Sequence, residues 1–465
     1  MAARAHPYIA NSSQQAKAKL LAGAGLASVE EIFAAIPQDL RLHRALRLPE
    51  ALGSEYALRR HVEGILARNR STSDHLSFLG GGVWQHYVPA VVDTVVGRDE
   101  FLTAYGADAY ADHGKYQALF ESASMLGELL EMDAVSTSTY DWANSAASAC
   151  RMAVRLTGRR RVLLAATVSP SRHAVMENSC LPEIALERVA CDRGTGRLDL
   201  ADLETRMSRG AAPAAVYFEN PSYLGFFEDQ GRAIAEMAHR RGAEVIVGVD
   251  PSSLGIARPP AAYGADIVCG DLQPLGVHMQ WGGGLSGFLA MRDEERYLAE
   301  CPLQLFGLTE TVAPGEYGFG KVLPARTSYV AREQGKDFVG TVTALHAIAA
   351  GVYLALVGPQ GMRELGEGIV QRRAYLVALL REIPGVKAPR LSAPGFKEVV
   401  VNFDATGLTV REINRRLLEQ GIFGGKDLSG TFPWLGQSAL YAVTEVHGAG
   451  DLERLAQALR EVCPG

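Results

Sequence analysis

The chain reads as an α/β protein: a doubly wound, mostly parallel sheet with a helical arm before it and a small α/β domain after it. Three observations predict this. Strand patterns at 161–166, 184–189, 214–218 and 244–249 alternate with helical patterns at 141–156 and 231–241, the order that builds a parallel sheet. The stretch up to about residue 95 carries helix signals and no strand pattern. A second strand and helix alternation fills 398–462, and a unit of roughly a hundred residues is an ordinary domain size. The expected division is therefore 1–95 for the arm and an interface segment, 96–340 for the large domain, and 341–465 for connecting helices and the small domain.

Composition sets the outer limits. A chain of 465 residues, 48% hydrophobic, can bury a large core. Net charge is −6 and the basic run Arg159-Arg160-Arg161 is short, which argues against nucleic acid as a partner. The six cysteines, Cys150, Cys180, Cys191, Cys269, Cys301 and Cys463, show no C-x-x-C spacing, so neither a metal site nor a disulfide framework is expected. Met1 to Pro7 contain no apolar leader core, and no uninterrupted apolar run approaches membrane-spanning length. A soluble, cytoplasmic protein with no membrane association is the expectation.

In chain order, Ser12 or Ser13 is placed to cap a helix running through Ala22, and Ser28 with Glu31 fits a capping box. Leu52, Tyr56, Leu58, Val62 and Ile65 give 50–69 a helical apolar stripe. Such an arm wraps a partner or the body of the fold. Next, Gly80-Gly81-Gly82 sit among Phe78, Trp84, His86 and Tyr87; glycines let backbone approach a ligand closely, but they equally mark a packed turn. Helix 117–131 and a brief strand at 135–139 lead to Thr139, Tyr140 and Asp141 at the start of helix 141–156, where a phosphate or a capping carboxylate would sit. Because Asp141 would repel a phosphate, capping is the preferred role.

A loop holding His173 follows strand 161–166, Asn220 follows 214–218, Asp250 ends 244–249, and Gln273 follows a short strand at 266–269. All four fall beyond strand C-termini, where open α/β sheets bind ligands. His173 is read either as a ring stacked on a ligand or as a structural histidine. A third apolar strand at 288–291 closes this region, 303–334 reads as a Gly- and Pro-punctuated connection, and helices are expected at 341–356 and 361–383. The small domain then carries strands at 398–403 and 439–443 and helices at 410–420 and 451–462.

An acidic residue ending one parallel strand, followed by the end of the next, is how many pyridoxal-phosphate enzymes hold the cofactor's ring nitrogen and present a Schiff-base lysine. Here no lysine occurs between Arg241 and Gly320, and the turn reads Gly270-Asp271-Leu272-Gln273-Pro274-Leu275. A Gln amide forms no imine. None of the eight lysines, Lys17, Lys19, Lys115, Lys321, Lys336, Lys387, Lys397 and Lys426, follows a predicted strand end in the required order. Without that lysine, Asp250 is read first as a strand-end hydrogen-bond acceptor and second as a partner for a pyridine nitrogen.

Several stretches carry a resemblance: Ser77-Phe78-Leu79-Gly80, His86-Tyr87-Val88-Pro89, Gln117-Ala118-Leu119-Phe120-Glu121, Asn220-Pro221, Val249-Asp250-Pro251, Gln273-Pro274-Leu275-Gly276 and Val443-Thr444-Glu445. With these the chain resembles, nearly end to end, the alpha-subunit type of the glycine cleavage system P-protein family. The resemblance implies a fold-type I pyridoxal-phosphate transferase architecture in an α2β2 heterotetramer. It implies that the beta subunit holds pyridoxal 5'-phosphate covalently, and that the pair decarboxylates glycine and hands the aminomethyl group to a lipoylated carrier (H) protein. Thr139, Tyr140, Asp141, His173, Asn220, Asp250 and Gln273 would then line a vestigial pocket, with no catalytic residue on this chain and no metal. Gly80, Gly81, Gly82, His86, Tyr87 and Arg332 would stand at the pocket entrance or subunit interface, Arg332 alternatively forming a surface pair with Glu333.

The chain departs from the family pattern at Trp142-Ala143-Asn144-Ser145, at Ser122-Ala123, at Asp112-His113-Gly114 and at Gln334-Gly335-Lys336-Asp337-Phe338-Val339. These departures keep two alternatives open: a subunit repurposed for a glycine-like amino acid in a specialised pathway, or a structural or regulatory partner without a role in turnover.

Overall fold

The computed structural model describes residues 8–102, 113–136, 138–337 and 339–463; the departures at Asp112 and Phe338 lie outside them. The chain divides into two compact units, Met1–Arg70 and Ser71–Gly465.

The first unit contains helices α1 (Gln14–Gly23), α2 (Val29–Ile32) and α3 (Glu55–Leu66). Ser13 caps α1 by accepting from the Ala16 amide at 3.2 Å, and Ser54 caps α3 by accepting from Ala57 at 3.1 Å. Helix α3 thus starts at a cap, five residues later than its apolar stripe suggests. The capping box at Ser28 does not form; Glu31 accepts from the Ala27 amide instead, at 3.0 Å. No residue of these three helices is buried.

The second unit opens with β1 (Leu76–Ser77), α4 (Ala90–Val96), α5 (His113–Leu130), β2 (Ala134–Val135) and α6 (Trp142–Thr157). It continues through β3 (Arg161–Ala165), α7 (Pro170–Cys180), β4 (Ala185–Val189), α8 (Leu200–Ser208), β5 (Ala215–Glu219), α9 (Gly231–Arg240), β6 (Glu244–Val249), β7 (Ile267–Asp271) and β8 (Gly287–Met291). These strands form one seven-stranded sheet in the order β2-β8-β7-β6-β5-β3-β4. Strands β4, β3, β5, β6 and β7 run parallel, while β8 returns antiparallel between β7 and β2. Every residue of β3, β5, β6, β7 and β8 is buried, as strands covered by helices on both faces require.

Beyond the sheet come α10 (Glu295–Glu300), β9 (Phe306–Glu310), β10 (Tyr317–Lys321), α11 (Ser328–Ala331) and α12 (Ala344–Arg381). Strands β9 and β10 form an antiparallel hairpin where the sequence reads as a connection. Gly307, Gly315, Gly318 and Gly320 thin out its strand pattern, and its residues are only half-buried or exposed. The two helices expected at 341–356 and 361–383 are both present as the two halves of α12, parted where the non-helical backbone of Gly358 (φ 62°, ψ −179°) precedes Pro359. By length and composition α12 resembles a membrane span. Its buried side chains serve two cores instead: Ile348 and Tyr353 pack under the large sheet, Leu376 and Leu380 under the small one.

The chain ends with β11 (Glu398–Asn402), α13 (Val410–Glu419), β12 (Ile422–Phe423), β13 (Lys426–Asp427), β14 (Ser438–Ala442) and α14 (Ala449–Val462). The order β11-β14-β13 makes a small antiparallel sheet. Strand β1 pairs in parallel with β12, and Phe78 is buried in the core of this small lobe. The carbonyl of Phe78 accepts from Ala442 at 2.9 Å, which directs the following glycine loop toward the start of β11.

Candidate functional site

The C-terminal ends of β5, β6 and β7 and the N-terminus of α6 meet the start of β11 and the loop after β1 in one buried cluster. Asp250, ending β6, has both carboxylate oxygens engaged. Oδ1 accepts from the Ser252 amide at 3.0 Å and its hydroxyl at 2.7 Å, and Oδ2 pairs with Lys397 Nζ at 2.7 Å. Both side chains are almost wholly buried. The Lys397 ammonium lies 4.3 Å from the centre of the Trp84 ring and donates to His86 Nε2 at 2.8 Å. An ammonium only donates, so Nε2 must accept and Nδ1 must carry the ring proton. Nδ1 donates to Glu445 Oε2 at 2.8 Å, and Glu445 Oε1 accepts from the Tyr87 amide at 2.7 Å. Burial, then the Lys397 charge, holds the His86 imidazole below its ordinary value, and the ring is neutral.

Beside this chain of contacts, Trp142 and Arg172 fill the floor. The Arg172 guanidinium stacks 3.8 Å over the Trp142 ring and binds Glu219 through two bonds, Nε to Oε1 at 2.7 Å and Nη2 to Oε2 at 3.0 Å. The Trp142 indole donates to the Tyr217 hydroxyl at 3.2 Å. A Cβ on Gly248 would lie 2.7 Å from that indole nitrogen, so the missing side chain on β6 is what admits Trp142.

The N-terminus of α6 is already supplied with negative groups. Asp141 accepts from the Asn144 amide at 2.8 Å as the helix cap, and Asp271 Oδ2 accepts from the Trp142 amide at 3.1 Å. Burial outweighs these amide contacts for Asp271 and pushes it up to about 7. Thr139 bridges to Gly287 in the sheet and bonds Ser145 at 2.7 Å. Gln273, in the turn after β7, is pinned: its Oε1 accepts from the Trp84 amide at 3.1 Å, and its Nε2 donates to the carbonyls of Trp84 and Val277 at 2.9 and 3.2 Å.

The glycine loop lies against the same cluster. The Gly81 amide and the Trp84 indole donate to Glu398 Oε1 at 2.6 and 2.9 Å. A Cβ on Gly80 would fall 2.5 Å from that oxygen and 2.7 Å from Ala442 Cβ. The close approach that glycine allows is therefore made to the chain's own Glu398. Burial raises this carboxyl to about 7 against the pull of the Trp84 and Gly81 contacts and of Lys397.

Other expected positions fall elsewhere. His173 is not in a loop: it lies within α7, beside Glu177 at 3.3 Å, and accepts from Arg188 Nε at 3.3 Å. Its neighbour Arg172 is the residue that enters the cluster. Asn220 braces the segment after β5, donating to Tyr263 and Glu228 and accepting from the Glu228 amide. Tyr140 is half-exposed and Tyr87 exposed. Arg332 is exposed in the 3-10 turn Arg332–Gln334, shortly before Asp337, which Arg151 and Arg155 bind. Arg172, Glu219, Lys397 and Glu398 are site residues that no sequence motif singled out, and Trp84 was named only among the aromatics of the glycine loop. Trp142 carried one signal, its departure from the family pattern.

These side chains do not fit a bound pyridoxal phosphate. No amine follows β7, the Asp250 carboxylate already has an ammonium, and two carboxylates occupy the helix end where a phosphate would bind. The free space between Trp84, Trp142, Arg172 and Asp250 is about 10 Å³, roughly one water sphere. Among the described residues no group of three or more His, Cys, Asp or Glu is placed to hold a metal.

The architecture is that of the fold-type I pyridoxal-phosphate-dependent enzymes. A NifS-like protein from Rickettsia africae superposes with a TM-score of 0.62 at 12% identity, covering 83% of this chain and 99% of that one, a likeness of fold alone. The family model described as Glycine cleavage system P-protein matches residues 6–422, and the chain belongs to that family. The protein named "Probable glycine dehydrogenase (decarboxylating) subunit 1" from Staphylothermus marinus is 36% identical over 466 residues, 98% of each chain. Its namesake from Aeropyrum pernix is 38% identical over 468 residues, 99% of this chain and 100% of that one. A crystal structure of glycine decarboxylase (P-protein) of the glycine cleavage system, in inhibitor-bound form, superposes with a TM-score of 0.83 at 34% identity, covering 99% and 100% of the two chains.

Proposed function

We propose that this chain is the subunit without the Schiff-base lysine in a two-subunit, cytoplasmic glycine decarboxylase. Its second subunit binds pyridoxal 5'-phosphate covalently, and the assembly is an α2β2 heterotetramer that passes the aminomethyl group of glycine to a lipoylated carrier protein. When bound in the second subunit, the cofactor supplies the electron sink for loss of CO2. The observation that supports the reading is the filled cluster: Lys397, Trp142 and Arg172 close the space beside Asp250 at the strand ends, and the turn after β7 carries Gln273 and no lysine. What remains for this chain is interface and positioning, with Tyr87 and the glycine loop Gly80 to Gly82 as its contribution to the entrance.

The test is the visible spectrum of this chain alone and with its second subunit, before and after borohydride reduction. An aldimine band that appears only in the complex, with the reduced label on the second subunit, is expected. A reducible band in the isolated chain would sink the reading. Reconstitution with glycine and lipoylated carrier should raise CO2 exchange above that of the second subunit alone.

Trp142 favours a second reading, a family subunit turned to a glycine-like amino acid in a specialised pathway, because the family pattern has a small residue there. It predicts poor exchange with glycine that improves in Trp142→Gly. Unchanged exchange in that variant would dismiss it.

A further inference from the structure

We propose that Lys397 acts as a tethered ligand: the chain supplies its own alkylammonium to a carboxylate-and-aromatic cation site, and through the buried His86 ring holds Tyr87 in place at the surface. This deepens the reading of a subunit whose own pocket is filled and rests on it.

The site has the make-up of a receptor for a small primary amine. A buried cation must recover on every side what water gave it. The Lys397 ammonium recovers it from Asp250 Oδ2 at 2.7 Å, from His86 Nε2 at 2.8 Å, and from the faces of Trp84 and Phe396 at 4.3 and 5.5 Å. The other charged groups nearby are engaged elsewhere: Arg172 with Glu219, and Glu398 with Gly81 and Trp84. Asp250 and the ammonium come from different lobes, the one ending β6 and the other just preceding β11, so the pair spans the two cores. From there the contact runs outward by His86 to Glu445 and the Tyr87 amide. Lys397 is on this account a positioning residue for the entrance segment.

In the full chain, Lys397→Ala removes the three methylenes and the nitrogen of n-propylammonium and leaves Asp250 bare. The variant should melt below the wild type, and millimolar n-propylammonium should restore at least half of the lost melting temperature. The neutral isostere 1-propanol should not. By calorimetric titration, Lys397→Ala/Asp250→Asn should bind the amine at least tenfold more weakly. Equal rescue by amine and alcohol, or equal amine binding by the double variant, would overturn the proposal.

Should Lys397→Ala fail to fold, nitrogen-15 NMR of the wild type decides. His86 should hold its proton on Nδ1 at pH 7 with Nε2 unprotonated, and in Lys397→Met its titration should move upward as the neighbouring cation leaves. The opposite tautomer, or an imidazolium at pH 7, contradicts the proposal. None of these readouts uses cofactor or second subunit, so they stand apart from the spectral test of the proposed function: a chain that bound cofactor here would reveal itself there as an aldimine.

Discussion

The arm and the body use the same kinds of side chain in opposite ways. In the body, helices bury their apolar faces: nine of the sixteen residues of α6 are buried, among them Trp142, Ala146 and Met152. In the arm, α3 presents Leu58, Val62, Ile65 and Leu66 on one side, and all are exposed. A helix gains most of its stability from packing its apolar stripe, and an isolated helix of twelve residues is marginal in water. The body is therefore folded by its own contacts, whereas within its own unit the arm leaves its apolar stripe uncovered and open to another surface. In the proposed assembly that surface belongs to the second subunit.

The comparison is broken most directly by removing the arm. A chain starting at Ser71 should keep a cooperative unfolding transition yet lose stable association with the second subunit, and CO2 exchange should fall to that subunit's own level. Light scattering of the mixture checks this, and undiminished binding would refute the division of labour. Next in size is Trp142→Gly, which empties the cluster and unstacks Arg172; denaturant titration should find a loss of roughly 3–5 kcal/mol. An arm substitution such as Val62→Asp should change the isolated chain's stability by less than about 0.5 kcal/mol, as exposed sites do, while weakening assembly.

Two pH dependences sharpen the body side. Glu398 is raised from 4.5 to about 7, so its contribution is whole below pH 4.5 and is lost as pH rises through 7. Glu398→Gln keeps an oxygen for Gly81 and Trp84 and should be the more stable protein at pH 8, by roughly 1–3 kcal/mol, with little difference at pH 4.5. His86 is lowered, so its contribution is whole above its ordinary value of 6.5 and is lost as pH falls through the lowered one. His86→Gln should flatten the acid side of the stability profile.

What the sequence revealed of this molecule follows the range of the interactions involved. The apolar runs of β3, β5 and β6, the alternation with helices and the cap at Asp141 are local patterns, and they read directly. The hairpin β9–β10 did not, because glycine dilutes it, whereas the break in α12 did, through Gly358 and Pro359. At the site, the missing lysine after β7 was visible as an absence. What replaced it was not, since Lys397 reaches Asp250 from another lobe and Trp84 arrives from a loop set by the pairing of β1 with β12. His173 read either as a ring stacked on a ligand or as a structural histidine; once its loop is seen as helix α7, its neighbour Arg172 is the side chain that stacks on Trp142.

The occupancy of the Asp250 site by Lys397 has a consequence for how the two subunits mature. A protein that binds a cofactor is stabilised in proportion to the cofactor around it, and its folded fraction tracks that supply. A body that completes its central site with its own side chain is free of this linkage. In the proposed pair, vitamin B6 scarcity would thin the population of one subunit and leave this one standing, folded and waiting.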